Sequence, residues 1–125
     1  MDMRGFQQYK EQSVYTMTQG ELLLLLYDEL VKRLTQAELA LDKANYDLFE
    51  ASVQRGMDIV RYLDDTLDRK YPISKDLTRL YEYFTYELGR VKIGRHKEPL
   101  THVKTMVCEL RESFRTAQKS GDSGK

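Results

Sequence analysis

The chain is 125 residues long, its 20 basic and 20 acidic side chains cancel, and it contains a single cysteine, Cys108. One domain of this length can bury roughly two thirds of the surface of its unfolded chain, so its core needs no disulfide or metal. The balanced charge argues against binding to nucleic acid or an anionic membrane by electrostatic attraction. The lone cysteine excludes an internal disulfide framework and fits a reducing cytosol.

The first 17 residues carry scattered apolar side chains but no continuous apolar run of the kind found in a secretion signal. The segment is too short and irregular to form a stable helix alone. We predict that residues 1–17, helical or extended, dock on the remainder of the domain. The apolar side chains available for docking are Phe6, Tyr9, Val14, Tyr15 and Met17.

The first long helix is predicted to begin at Thr18, because Thr18 and Glu21 have the spacing of a capping box. It should continue to about Ala44. It contains five consecutive leucines, residues 22–26, a run far short of the roughly 18 residues that span a bilayer. We therefore expect no membrane insertion.

A helical wheel divides these leucines between a core sector and two flanks. Leu22 and Leu25 fall on one flank, and Leu24 and Val31 fall on the other. These flanking side chains need a second layer of apolar material to cover them. The predicted core sector consists of Leu23, Leu26, Tyr27, Leu30, Leu34, Ala37 and Leu41.

The spacing of apolar residues predicts three more helices. Asn45 suits the cap of a second helix that ends near Asp68, and Ser74 suits the cap of a third that ends near Gly94. Pro99 suits the first turn of a fourth, where its missing N–H costs nothing. The predicted core stripes are Phe49, Val53, Gly56, Val60, Leu63 and Leu67 in the second helix, Leu77, Leu80, Tyr81, Phe84, Leu88 and Val91 in the third, and Leu100, Val103, Met106, Val107, Leu110 and Phe114 in the fourth.

These patterns predict an all-α fold. Because the connectors are short, consecutive helices must run in opposite directions, which gives an antiparallel up-and-down four-helix bundle. One domain is predicted over residues 1–117, with the docking segment at 1–17 and the bundle at 18–117. A flexible polar tail is predicted at residues 118–125.

Several apolar side chains do not fit the predicted core. Besides Leu22 and Leu25, the tyrosines Tyr62, Tyr83 and Tyr86 lie off the core stripes of their helices. One interpretation is a wide buried arc covered by the N-terminal segment, together with ordinary exposed tyrosines. The other is an apolar surface groove that an amphipathic helix can enter.

The sequence contains few residues or motifs that are typical of an enzyme. It has no Glu-x-x-His pair for a di-iron bundle, no Cys-x-x-Cys motif and no glycine-rich phosphate loop. Its two histidines, His96 and His102, are too few for a zinc site. We expect no catalysis, cofactor or metal, and His102 as a phosphotransfer nucleophile is the remaining enzymatic interpretation.

Three stretches taken together resemble the FliS family of flagellar export chaperones. They are YKEQSVYTMTQGELLLLLYDEL near the N-terminus, LDRKYPISKDLTRLYEYFTYEL in the middle and LRESFRTA near the end. The resemblance extends from about Tyr9 to Ala117. Gln19 stands where the family often has proline, Asp76 where it often has asparagine, and Phe114 where tryptophan is usual.

The resemblance implies a cytoplasmic chaperone that binds the disordered C-terminal segment of flagellin. Such a protein prevents premature polymerisation of flagellin and helps to deliver it to the flagellar type III export apparatus. A second implied partner is the cytoplasmic domain of the export gate protein, contacted through Phe6 and Tyr9. The alternative function is a helical-bundle interaction or homodimerisation module unrelated to flagella.

On the chaperone interpretation, the off-core side chains form the flagellin-binding groove. Tyr15 and Met17 are then expected to cover that groove while it is empty. The free protein is expected to be a monomer or a weak homodimer. The predicted groove residues are Leu22, Leu25, Tyr62, Tyr83 and Tyr86.

Overall fold

The computed structural model describes residues 18–123, with side chains as far as Lys119. The predicted docking segment lies outside the described residues, as do the predictions made for Phe6, Tyr9, Tyr15 and Met17. Within the described range the chain forms four helices, namely α1 Gln19–Asp42, α2 Tyr46–Asp65, α3 Ile73–Gly94 and α4 Lys97–Ser123.

The helices form a closed ring of four packed pairs. Helix α1 packs against α2 and α4, and α3 packs against the same two helices, so α1 and α3 face each other across the diagonal. The connectors 43–45, 66–72 and 95–96 are too short for anything but antiparallel neighbours. The predicted all-α four-helix bundle is confirmed.

The core follows the predicted stripes closely. Phe49, Val53 and Val60 of α2 are fully buried, and so are Phe84 and Leu88 of α3. Eight predicted core residues are only half-buried and pack on the edge of the core, where they are accessible from the surface. These are Leu23, Leu26, Leu41, Leu67, Leu80, Met106, Leu110 and Phe114.

A pair of buried tyrosines joins the two diagonal helices. The hydroxyl groups of Tyr27 and Tyr81 lie 2.5 Å apart and share a hydrogen bond. Burial, together with the neighbouring hydroxyl, raises the pKa of Tyr27, and burial raises the pKa of Tyr81. Both therefore stay neutral, and the Tyr27 ring also stacks on Phe114, with ring centroids 5.6 Å apart.

Two of the predicted helix caps are present and one is wrong. The Thr18 side chain accepts a hydrogen bond from the backbone N–H of Glu21 at 3.1 Å, and Asn45 accepts one from Leu48 at 3.3 Å. Ser74 does not cap α3. The cap position is Pro72, two residues earlier, because Pro72 has helical backbone angles that start the turn, and the Ser74 side chain is buried instead.

Two helices end earlier than predicted and one ends later. Helix α1 ends at Asp42 rather than near Ala44, whose φ of 55° reverses the chain, and α2 ends at Asp65 rather than near Asp68. Helix α4 continues to Ser123 instead of stopping at Ala117. Extending a formed helix costs less than starting one, and alanine, glutamine and lysine at 117–119 favour it.

Candidate docking groove

An apolar groove lies between the first half of α1 and the last half of α2. Its volume is about 600 Å³, which falls within the roughly 300–1,000 Å³ typical of ligand pockets. The loop 66–72 closes one end of it. The groove is lined by Gln19, Gly20, Leu22, Leu23, Leu26, Tyr62, Leu63, Thr66, Leu67, Asp68 and Tyr71.

The groove floor consists of side chains that are shared with the bundle core. Leu23 and Leu26 are half-buried, with one side packed on the core and the other open to the groove. Leu63 lies below them and is 2% exposed. A ligand entering the groove would therefore contact a floor that is already fixed by packing.

The groove walls are more exposed than the floor. Tyr62 is 48% exposed and Tyr71 is 62% exposed, which leaves most of each ring available for contact. Leu22 is half-buried on the opposite wall. The structure thus brings together two of the residues predicted from the sequence, Leu22 on α1 and Tyr62 on α2.

Leu25 lies just outside the groove lining. It follows Leu22 by three residues, so it lies on the same side of α1 about one turn further along, and it is half-buried. On α2 the half-buried Ile59 precedes Tyr62 by the same interval. These side chains continue the apolar surface of the groove along the α1–α2 seam.

The other two predicted groove residues lie elsewhere. Tyr83 and Tyr86 belong to α3, diagonal to α1, and are 38% and 64% exposed. The Tyr83 ring contacts Phe84, with centroids 6.2 Å apart, and the Arg90 guanidinium lies 5.8 Å from the Tyr86 ring centroid. The structure does not bring these tyrosines together with Leu22 and Tyr62.

A second depression lies between α3 and α4 and has a different character. Its volume is about 850 Å³, and most of its lining side chains are charged or polar, including Arg90, Lys97, Glu98 and His102. Glu87 is nearly buried there and forms an ion pair with Arg90 at 3.1 Å. Within residues 18–123 no three potential metal ligands come together.

Sequence patterns missed the part of the groove that the loop contributes. Leu67 and Asp68 were predicted at the end of the second helix, but that helix ends at Asp65. The stretch that contributes Thr66 and Tyr71 therefore has no helical periodicity to direct its side chains. Tyr71 is the one signal available, since it is the only aromatic residue in the loop. Leu23 and Leu26 are predicted core residues, and they also line the groove.

Among residues 18–123, none of the helices has the length and hydrophobicity needed to span a bilayer.

Comparisons with known proteins show the family and the fold of the chain. Residues 2–121 match the model of the flagellar protein FliS. The flagellar secretion chaperone FliS of Bacillus subtilis (strain 168) is 27% identical over 112 residues, which covers 90% of this chain and 84% of that protein. A bacterial flagellar chaperone of known crystal structure has the same fold, with a TM-score of 0.79 over 96% of this chain and 99% of that one at 16% identity. Since the family model covers nearly the whole sequence, the chain belongs to the FliS family of flagellar proteins.

Proposed function

We propose that this protein is a cytoplasmic flagellar export chaperone and that its α1–α2 groove binds the disordered C-terminal segment of flagellin. One observation carries the proposal: a member of the FliS family has an apolar groove of about 600 Å³ with exposed tyrosine rings on its wall. Binding shields the apolar face of the segment and so prevents premature polymerisation. The chaperone then helps to deliver flagellin to the export apparatus.

The physical basis is the folding of a disordered segment on a preformed surface. An amphipathic helix that lays its apolar face into the groove gains burial against Leu22, Leu23 and Leu26. It must lose the conformational freedom of an unfolded chain, so the net affinity is lower than the buried area alone implies. Tyr62 and Tyr71 are suited to anchor it, because aromatic side chains often contribute most at such interfaces.

The remaining predicted site residues have supporting roles in this proposal. Leu25 extends the contact along the α1–α2 seam. Tyr83 and Tyr86 serve a flagellin segment long enough to pass beyond the groove and reach α3. Gln19, the first residue of α1, lines the groove. The N-terminal segment is joined to α1 just before this point, through Thr18.

On the same proposal, the N-terminal segment has two roles. Tyr15 and Met17 cover the groove while it is empty, and flagellin displaces them. Phe6 and Tyr9 contact the cytoplasmic domain of the export gate protein. Neither step needs nucleotide hydrolysis, because competition between partners is sufficient for release.

Calorimetric titration of the full chain with the C-terminal segment of flagellin from the same organism tests the proposal. We expect one-to-one binding at micromolar concentration or tighter, with a gain in helicity by circular dichroism. The absence of heat and of added helicity at these concentrations would overturn the chaperone function. A mass that depends on concentration, without any effect of flagellin, would favour the homodimerisation module instead.

The groove itself is tested by replacing Leu22 and Leu25 together with serine. Because both side chains are half-buried on the binding side of α1, we expect the affinity for the flagellin segment to fall at least about tenfold. Leu39→Ser is the matched control, since Leu39 is 56% exposed on the same helix and lies away from the groove. Equal losses in the two variants would show that the groove is not the site.

A further inference from the structure

The backbone N–H groups of the loop that closes the groove bond to residues close by in the sequence, and that of Lys70 donates to Asp68 Oδ1 at 3.0 Å. The backbone N–H of Thr66 bonds to the carbonyl of Tyr62 at 3.0 Å, and that of Tyr71 bonds to the carbonyl of Asp68 at 3.3 Å. Asp68 and Tyr71 also form the outer wall of the groove. The position of this wall therefore depends on whatever fixes the loop 66–72 relative to the helices.

One side chain ties the middle of the loop to both adjoining helices. Arg69 Nη2 donates to the carbonyl oxygen of Asp64 at 3.2 Å and lies 3.4 Å from the carboxylate Oδ1 of the same residue on α2. Arg69 Nη1 donates to the Thr78 hydroxyl on α3. The Thr78 hydroxyl in turn donates to Asp64 Oδ1 at 3.0 Å, so the three residues form a closed triangle.

This triangle lies on the far side of the loop from the groove. Arg69 is not among the groove lining residues, although its neighbours Asp68 and Tyr71 are. Asp64 and Thr78 lie on the α2–α3 side of the bundle, whereas the groove lies between α2 and α1. The Arg69 guanidinium thus lies outside the surface that lines the groove, next to the wall formed by Asp68 and Tyr71.

We propose that Arg69 is a positioning residue, which fixes the outer wall of the groove through Asp64 and Thr78 and thereby sets the fit of the bound segment. The planar guanidinium is suited to this task because its terminal nitrogens, Nη1 and Nη2, contact two different helices. Its effect on binding rests on the proposed function, whereas its effect on the loop does not. The side chain is 55% exposed, so its effect is moderate and is reduced by salt.

The test compares Arg69→Ala with Lys70→Ala in the full-length chain. Both variants remove one positive charge from the same loop, but only the first removes the triangle. In free Arg69→Ala we expect the amide hydrogens of Lys70 and Tyr71 to exchange about fivefold faster, and the affinity for the flagellin C-terminal segment to fall by about the same factor. Lys70→Ala should match the wild type in both measurements.

The thermal unfolding midpoint is measured alongside, to confirm that each variant is folded at the assay temperature. Unchanged loop exchange in Arg69→Ala overturns the inference, whether or not flagellin binds. Faster loop exchange in a protein whose wild type does not bind flagellin supports the positioning role and overturns the proposed function instead. If Arg69→Lys restored both the exchange rate and the affinity, a contact from two guanidinium nitrogens would not be required, because lysine carries the charge on a single ammonium group.

Discussion

The two ends of the bundle are built differently. The closed end, which contains the turns 43–45 and 95–96, is crossed by polar contacts between helices. Lys97 bonds to Asp42 at 2.7 Å, Lys104 bonds to Glu38 at 2.7 Å, and the Arg95 guanidinium lies 3.8 Å from the Tyr46 ring centroid. The groove end, which contains the loop 66–72 and the start of α1, presents apolar side chains in a surface opening.

The seam between α1 and α2 shows the same contrast along its length. Among the described residues, a side-chain hydrogen bond joins the two helices where Ser52 donates to Gln36 at 3.0 Å, towards the closed end. Towards the groove end, leucine and tyrosine side chains occupy the seam instead. Along this seam, the directional contact therefore lies towards the closed end, and apolar surface is left towards the groove end, where a partner helix can pack.

The largest expected effect comes from weakening the core at the closed end. Leu100 of α4 is fully buried, so Leu100→Ala removes apolar contacts and leaves a cavity. We expect the free energy of unfolding to fall by about 2–5 kcal/mol, measured by urea denaturation. The affinity for flagellin should stay unchanged at a temperature where the variant is folded. A loss of affinity in the folded variant would show that the two ends are not independent.

A smaller effect is expected at the boundary between the two ends. Tyr27 follows the groove-floor residue Leu26, and its hydroxyl is hydrogen-bonded to that of Tyr81. Tyr27→Phe leaves the Tyr81 hydroxyl buried without this partner, so we expect a loss of about 1–3 kcal/mol in the free energy of unfolding. The double variant Tyr27→Phe/Tyr81→Phe should lose less than the sum of the two single variants. Additive losses would mean that the hydrogen bond contributes little.

Much of this architecture could be predicted from helical periodicity. The core stripes of α2 and α3 were located almost residue by residue, because a helix that buries one face repeats its apolar residues at fixed intervals. Leu22 and Tyr62 were assigned to a groove because they lie off those stripes. Leu23 and Leu26 were assigned to the core; they pack on its edge and line the groove beside Leu22.

Periodicity could not predict which off-stripe residues share one surface. Tyr83 and Tyr86 look like Tyr62 in the sequence, but their helix is diagonal to α1, and only the order of helices around the bundle shows this. Loop residues have no periodicity, so Tyr71 and the Arg69 contacts were not found. Ser74 was misassigned because Pro72 starts the helix two residues before the expected cap.

The smallest expected effect concerns one polar contact at the closed end. Glu38 accepts hydrogen bonds from Lys104 at 2.7 Å and from Thr101 at 2.6 Å. Burial acts to raise the pKa of Glu38, but these hydrogen bonds and the neighbouring lysines outweigh it, so the pKa lies below its usual value. Glu38→Gln should therefore lower the free energy of unfolding by about 1 kcal/mol at neutral pH.

The pH dependence of that loss has a definite sign. Because the pKa of Glu38 is lower in the folded than in the unfolded protein, its stabilisation is complete above the unfolded value of about 4.5. It is lost as the pH falls through the folded value, when the carboxylate takes up a proton. The difference in unfolding free energy between wild type and Glu38→Gln should therefore narrow as the pH falls below about 4.5. If the difference in unfolding free energy stayed constant at acidic pH, the charge of Glu38 would not stabilise the closed end. Uncharged packing contacts would then hold the closed end together, as they hold the groove floor.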